Sequence, residues 1–457
     1  MVKKTNNRKS KPVLEVNKCY IGNCLDVLKT FPDESLDMCI TSPPYWGLRD
    51  YGTEGQIWGG DSECEHEFTT SKRKLHSGTN TGKELPHHRN AHKVDWEVED
   101  AFCSKCGAWK GELGLEPTVE MFVNDLCDIF DEVKRVLTPH GSCWVNLGDT
   151  YANTGYGKGT GNMQNKNVPG AMTPKVKSPL PQKCLVQLPS RFAIEMTDRG
   201  WILRNEIIWY KPSCMPSSAK DRYTVDFEKL FFFTKSKNYY FKQQLEPLVT
   251  PYEKLIKDKR GKGWEGKKPV DSKKVNSVAN HGGDKSMGET MNPDGRNKRT
   301  VWAISPKGFK DAHFAVFPPE LIESPIDAGC PEFVDKKTGK PRERNIEKQT
   351  LERHELPKDN PNYRPARYDE GKYTHGQRFA TYDDKGYNDG RDDDEFRAGI
   401  VLDPFMGSGT TAEVAMKQDK DWVGIELNPE FEKISQNRLK PTIIEKKTRD
   451  KASEFWS

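Results

Sequence analysis

Residues 399–439 read GIVLDPFMGSGTTAEVAMKQDKDWVGIELNPEFEKISQNRL. The pattern predicts a buried strand at 399–402, a glycine turn at 403–410, a helix at 410–418 and a second strand at 421–425 that ends in Glu426. Gly407 and Gly409 let the backbone approach a ligand closely at the head of the helix, and Asp403 and Glu426 fall at successive strand ends. In an open parallel sheet this is the layout of a site for a nucleoside-containing cofactor, with glycines beneath the ligand and an acid about twenty residues on to hold two ribose hydroxyls. A phosphate-binding loop would need a lysine before the Ser/Thr, and GSGTT has none. A dinucleotide fingerprint would need a third glycine, and Thr411 and Ala412 follow instead. A cofactor without phosphates fits better.

Working outward, strands and helices alternate. LEVNKCYIGN reads as strand and turn, CLDVLKTFP as a short amphipathic helix and LDMCITS as a buried strand. Residues 119–137 place Met121, Leu126, Ile129, Phe130, Val133 and Leu137 at helical spacing, with Gly141 closing the helix before the strand in TPHGSCWVNLGDT. A helix near 189–199, the strand WILRNEIIWYKP and the strand EKLFFFTKS with a hairpin-like continuation KNYYF follow. The alternation predicts an open α/β sheet.

Composition limits what surrounds this core. The chain has 457 residues, of which 34% are hydrophobic and 31% charged, and its mean hydropathy is −0.86. These values predict one catalytic-size domain carrying long polar insertions. A formal charge of +4 permits a nucleic-acid partner without requiring one. No run reaches the length of a transmembrane helix, and MVKKTNNRKSKP lacks the apolar stretch of a signal peptide, so a cytoplasmic protein is expected. Eleven cysteines scattered through a long chain read as reduced thiols with a candidate metal-binding subset.

The strand at LDMCITS runs straight into TSPPYW at 41–46. Two prolines have no N–H to donate and hold a stiff, extended segment whose carbonyls stay free to accept. TSPPYW and DPFMGSGTT resemble the catalytic and S-adenosylmethionine-binding motifs of the amino-methylating DNA methyltransferases, in the β-class order with the catalytic motif first. The resemblance continues through NLGDT at 146–150, residues 205–241, RTVWAI at 299–304 and HFAVFPPELIESPI at 313–326, about 250 residues in all. It implies an α/β, Rossmann-like S-adenosylmethionine-dependent methyltransferase fold with circularly permuted motif order and polar insertions, acting on double-stranded DNA.

The resemblance also implies roles. Ser42, Pro43, Pro44 and Tyr45 form the catalytic corner. The Ser42 side chain and the Pro43 carbonyl accept hydrogens of an exocyclic base amine, and Tyr45 stacks on the extruded base. Such an amine is a poor nucleophile because its lone pair is delocalised into the ring, and acceptors for its hydrogens localise that pair. Trp46 either extends the stacking wall or packs in the core. Asp403, Phe405, Gly407 and Gly409 match the methionine-binding turn, Thr410 and Thr411 cap its helix, and Glu426 matches the ribose-binding acid. Phe317, Pro318 and Leu321 line the methionine pocket. Asn23 stands where relatives often have an acid near the cofactor adenine. Serine before the two prolines favours cytosine N4 over adenine N6 as the target.

The inserts carry their own signals. CEH at 64–66 and CSKC at 103–106 supply Cys64, His66, Cys103 and Cys106, a soft set that suits tetrahedral structural zinc, with His76, His87, His88 and His92 as substitutes for His66. The bland reading is a polar loop with free thiols. Residues 251–300 carry 13 Lys/Arg against 7 Asp/Glu, and Lys254, Lys257, Lys259, Arg260 and Lys262 beside Trp264 suit phosphate contact or a merely solvated loop. Arg222 and Glu228 lie in a matched segment near the target base, or form a structural ion pair. Residues 331–400 carry 15 Lys/Arg against 16 Asp/Glu without a hydrophobic period, which predicts a solvated linker.

The expected organisation is a catalytic half at 13–59 and 116–250, a Cys/His insert at 60–115, a basic DNA-recognition insert at 251–298, a cofactor-binding half at 299–329 and 398–440, a flexible charged insert at 330–397 and a tail at 441–457. A cognate restriction endonuclease is a candidate partner. Two rivals remain. Protein-glutamine methyltransferases use a related corner, but their cofactor turn precedes it. An inactive DNA-binding homologue would not need Ser42, Tyr45, Gly407 and Glu426 together.

Overall fold

The computed structural model describes residues 14–47, 54–73, 96–152, 180–246, 296–307, 316–352, 378–387 and 389–456. Eight strands build the central sheet: β1 (Lys18–Ile21), β2 (Leu36–Thr41), β3 (Leu137–Leu147), β4 (Ile202–Tyr210), β5 (Phe227–Thr234), β6 (Val301–Ala303), β7 (Ile400–Asp403) and β8 (Asp421–Glu426). Among the described residues the α-helices are α1 (Cys24–Thr30), α2 (Val119–Val136), α3 (Leu188–Asp198), α4 (Pro319–Gly329), α5 (Thr410–Lys417) and α6 (Pro429–Trp456). The strand order is β1-β8-β7-β2-β3-β5-β4-β6. Only β5 runs antiparallel, against both β3 and β4.

Period-two alternation sorts the side chains between two layers. In β5, Phe231 and Phe233 pack with the buried faces of α1, α2 and α3, while Leu230 and Phe232 pack with α4, α5 and Leu439 of α6. Strands in the middle of the sheet are covered on both sides, which explains the unbroken apolar run of LDMCIT, all six of whose residues are buried. Thr118 caps α2, its side chain accepting from Met121 N at 3.2 Å.

The chain joins its ends at the sheet centre, where β7 pairs in parallel with β2. The buried Asp37 secures that join, accepting from Ile400 N at 2.9 Å and from the Arg397 guanidinium. All strands but β5 therefore end on one edge, and the first residues of β5 arrive there too. This carboxyl edge, at the crossing between chain halves, is where open α/β sheets hold ligands.

Four sequence expectations change. Gly141 lies inside β3 rather than at a helix end, where a Cβ would stand 3.1 Å from Asp37 O. No strand forms at 237–241. The tail at 441–457 continues α6 through Trp456. The segment 330–397 is more than a linker: Phe333–Asp335 pairs with Phe396–Ala398, and Ile346–Glu352 pairs with Arg378–Asp384. Its charges pair internally. Arg342 is buried, donating to Asp389 at 2.8 and 3.0 Å and to Asp393 at 2.6 Å, with its guanidinium 4.2 Å from the Phe396 ring centre. The basic run around Trp264 and His76, His87, His88 and His92 lie outside the described residues.

Candidate active site

The carboxyl edge opens into one cavity of about 690 Å³, lined by the exit of β2, the exits of β1, β7 and β8, and residues from β4 and β5. Ser42, Pro43, Pro44 and Tyr45 form one wall; Asn23, Phe317, Asp403, Phe405, Gly407, Thr410 and Glu426 line the rest. Gly409 and Pro318 stand behind the wall: Gly409 is the N-cap of α5 and Pro318 the N-cap of α4. Leu321 is fully buried in the core below.

The turn after β7 is built around the buried Asp403. Its Oδ1 accepts from Thr41 Oγ1 at 2.6 Å and Phe405 N at 3.1 Å, and its Oδ2 accepts from Thr411 Oγ1 at 2.6 Å. Burial pushes this carboxyl up, and the Thr41 and Thr411 hydroxyls oppose the shift. Gly407 and Gly409 have φ of 51° and 81°, in the left-handed region. At Gly409 a Cβ would also meet Ser435 Cβ of α6 at 2.9 Å. The cap of α5 is therefore a glycine. Thr411 faces Asp403, and Thr410 Oγ1 accepts from Arg438 Nη1 at 2.7 Å. Neither threonine caps the helix.

Glu426 ends β8 across from this turn. One oxygen accepts from Gly407 N at 2.8 Å and the other from Asn428 N at 2.9 Å. Burial raises its carboxyl, and these N–H groups oppose the shift. Glu426 lines the cavity beside these N–H groups. Asn23 caps α1 through its side-chain oxygen, which accepts from Leu25 N at 2.8 Å, and its amide donates to Gln56 Oε1 at 3.1 Å.

On the opposite wall the Tyr45 hydroxyl donates to Glu228 Oε2 at 2.8 Å and lies 3.2 Å from Asn146 Oδ1. Ser42 Oγ donates to the Tyr45 oxygen at 3.4 Å. Lys211, following β4, pairs with Glu228, and its ammonium stands 4.2 Å from the Trp209 ring centre. The Tyr45 ring lies against Gly148, where a Cβ would come within 2.6 Å of Tyr45 Cε2. Trp46 is buried and donates from Nε1 to Glu116 O at 3.0 Å, so it packs in the core.

The family model described as DNA methylase, N6_N4_Mtase, matches residues 36–336 and 395–437, spanning both walls of this cavity. The chain belongs to this family. The methylase is 30% identical over 428 residues to the type II methyltransferase M.Cfr9I of Citrobacter freundii, covering 93% of this chain and 89% of that one. It is 26% identical to M.SmaI of Serratia marcescens, covering 92% and 90%. Among solved structures, a PvuII DNA methyltransferase described as cytosine-N4-specific aligns at 16% identity and a TM-score of 0.42, over 92% of this chain and 84% of that one. The doubly wound sheet of the methylase is the Rossmann-like methyltransferase fold, with strand β2, which leads into TSPPYW, preceding the glycine-turn strand β7 in sequence.

The Cys/His insert of the methylase brings its four residues together. The ligand atoms of Cys64, His66, Cys103 and Cys106 all lie within 4.8 Å of one another, with Cys64 Sγ 4.0 Å from Cys103 Sγ and Cys106 Sγ 3.3 Å from His66 Nδ1. A tetrahedron around an ion about 2.0–2.3 Å from N and S donors has edges of about 3.3–3.8 Å, so the Cys106–His66 separation fits it and the Cys64–Cys103 separation is slightly longer. Glu67 N donates to Cys103 Sγ at 3.3 Å, and Gly107, at φ 75°, lets the chain turn back over Cys103. Burial opposes the Cys103 thiolate, but backbone N–H groups of Cys106 and Glu67 and the His66 ring outweigh it and hold the thiol down at about 5.

Arg222 is not the partner of Glu228; its guanidinium lies 3.6 Å from the Tyr151 ring centre. Lys211 and Arg438 have no local sequence signal. Arg438 ties Ser408, Thr410 and Glu413 together at 3.1, 2.7 and 2.6 Å, fixing the glycine turn from α6. Cys330 is buried, and burial raises its thiol. Among the described residues, no helix is long and apolar enough to cross a membrane.

Proposed function

We propose that this methylase transfers a methyl group from S-adenosyl-L-methionine to the exocyclic amine of a base flipped from double-stranded DNA, and that the base is cytosine, methylated at N4. The observation that carries this reading is the single cavity lined both by the Ser42–Tyr45 corner and by the glycine turn with Glu426. S-adenosyl-L-methionine, when bound, supplies an electrophilic methyl group on a sulfonium. Its fit rests on the donor set: a glycine turn without a phosphate-binding lysine, and an acid in the cavity wall to accept from two ribose hydroxyls. Asp403 commits its oxygens to Thr41, Thr411 and Phe405 N and shapes the turn from behind.

The chain's own part in the reaction is to position acceptors. Ser42 donates its proton to the Tyr45 oxygen, Tyr45 donates to Glu228, and Lys211 holds the Glu228 carboxylate. The relay turns the Ser42 proton away, so its lone pairs, with the Pro43 carbonyl, face the amine as acceptors. Tyr45 offers its face to the base, whose extrusion costs about a few kcal/mol of stacking and pairing. Serine in first position of the corner favours cytosine over adenine.

Cys64, His66, Cys103 and Cys106 hold a structural zinc ion, which would cross-link the two ends of the insert. The type II methyltransferases among the relatives suggest a cognate restriction endonuclease as partner. A cytoplasmic location suits that role. The deciding experiment is transfer of a tritiated methyl group to unmodified duplex DNA, followed by mass spectrometry of the digested nucleosides. N4-methylcytosine is expected. N6-methyladenine would overturn the base assignment, and no incorporation by protein proven to bind the cofactor would overturn the activity.

A further inference from the structure

The Cys/His insert leaves the core at the catalytic corner and returns to it, and both of its legs touch the cavity. The outgoing leg carries Gln56 and Trp58 into the wall, and Gln56 Oε1 accepts from Asn23 Nδ2 at 3.1 Å. The returning leg holds the corner itself: Gly47 N donates to Gly114 O at 2.7 Å, and Trp46 Nε1 donates to Glu116 O at 3.0 Å. Gly114 is locked in turn by the buried Glu116 carboxyl group, which accepts its N–H at 2.9 and 3.1 Å.

The legs meet in a four-stranded antiparallel sheet: Gln56 stands opposite Gly111 and Trp58 opposite Trp109, Phe102 pairs with Trp109, and Phe68–Arg73 pairs with Trp96–Cys103. Gly60, at φ 76°, crosses so closely that a Cβ there would stand 2.8 Å from Cys106 Sγ. The two strands that carry the legs toward the cavity are only three residues each, and the Cys/His cluster sits where they meet the rest of this small sheet, so in a module of this size metal-binding free energy is folding free energy.

We infer that the insert is a metal-locked clasp, in which the ion at Cys64, His66, Cys103 and Cys106 keeps Gln56 against Asn23 and the 113–116 strap against the catalytic corner. Metal loading thereby sets cofactor affinity, although no ligand atom of the cluster lines the cavity. Gln56 is a positioning residue in this scheme. The inference rests on the proposed zinc and S-adenosyl-L-methionine sites.

The test uses the full chain in zinc-loaded and chelator-stripped forms, and Gln56→Ala in the zinc-loaded form, with zinc counted by mass spectrometry and S-adenosyl-L-methionine binding measured by calorimetry. Stripping is expected to weaken binding at least tenfold. Gln56→Ala, which leaves all four ligands in place, is expected to weaken it about threefold to tenfold with one zinc retained per chain. An unchanged Kd in either arm overturns the coupling. The parent readings fail separately: wild-type protein that takes up no stoichiometric zinc overturns the metal site and the lock, and zinc-loaded protein that binds no cofactor overturns the proposed activity.

Discussion

Tyr45 leaves the end of β2 and donates its hydroxyl proton to Glu228 at 2.8 Å, a residue at the start of the antiparallel strand β5. The pair ties the Ser42–Tyr45 corner to a strand two places along the sheet, across 183 positions of sequence. Its partner Lys211 holds the carboxylate in place.

Replacing this carboxylate isolates its role. Glu228→Gln keeps an acceptor for Tyr45 but removes the charge that Lys211 balances, and a charge-assisted bond contributes about 1.5–3 kcal/mol. The expected result is a kcat reduced about tenfold to a hundredfold with cofactor Kd unchanged, read by methyl-transfer kinetics and calorimetry. Equal losses in both would place Glu228 in the cofactor site instead.

Gly409→Ala puts a side chain at φ 81° and a Cβ 2.9 Å from Ser435 Cβ. The strain costs about 1–2 kcal/mol and moves α6 away from the turn. A lower Tm together with weaker cofactor binding is expected. A variant with wild-type Tm would show that the turn relaxes freely.

Arg438→Met removes the guanidinium that gathers Ser408, Thr410 and Glu413 while keeping most of the packing volume. Cofactor Kd should rise several-fold, with the rate at saturating cofactor nearly unchanged. A change confined to the saturated rate would contradict a purely positioning role.

Burial pushes the Glu116 carboxyl from its ordinary 4.5 up to about 8. Between those values the folded chain holds a proton that the unfolded chain has released, so stability falls as pH rises through the window and levels off above about 8. Glu116→Gln keeps an acceptor for Gly114 N and does not titrate. Thermal melts at pH 6 and pH 9 should therefore show a smaller drop in the variant than in the wild type; parallel drops would assign the slope to other groups.

What the sequence disclosed depended on range. The glycine turn, Glu426 and the alternating strands are local patterns, and Cys103 with Cys106 is a local spacing, so they were legible. The Tyr45–Glu228–Lys211 chain was not, because it depends on β5 running against its neighbours. Arg438 reaches back 28 residues to Thr410 from a helix whose sequence resembles any charged surface. The 330–397 segment looked solvated because Arg342 and its acids stand 47 and 51 positions apart, and composition does not distinguish paired charges from hydrated ones. Gly141 looked like a helix stop, although its function is to let β3 approach Asp37.

The bond from Thr41 to Asp403 spans 362 positions. At a synthesis rate of about 5–20 residues per second, TSPPYW waits roughly 20–70 seconds on the ribosome before the aspartate that anchors its strand exists. Until then β2 has an open edge in the middle of the future sheet, the kind of edge that recruits unwanted strands. The order of the two motifs therefore makes the TSPPYW corner well before the aspartate that anchors it, and leaves an apolar strand without its partner in the interval.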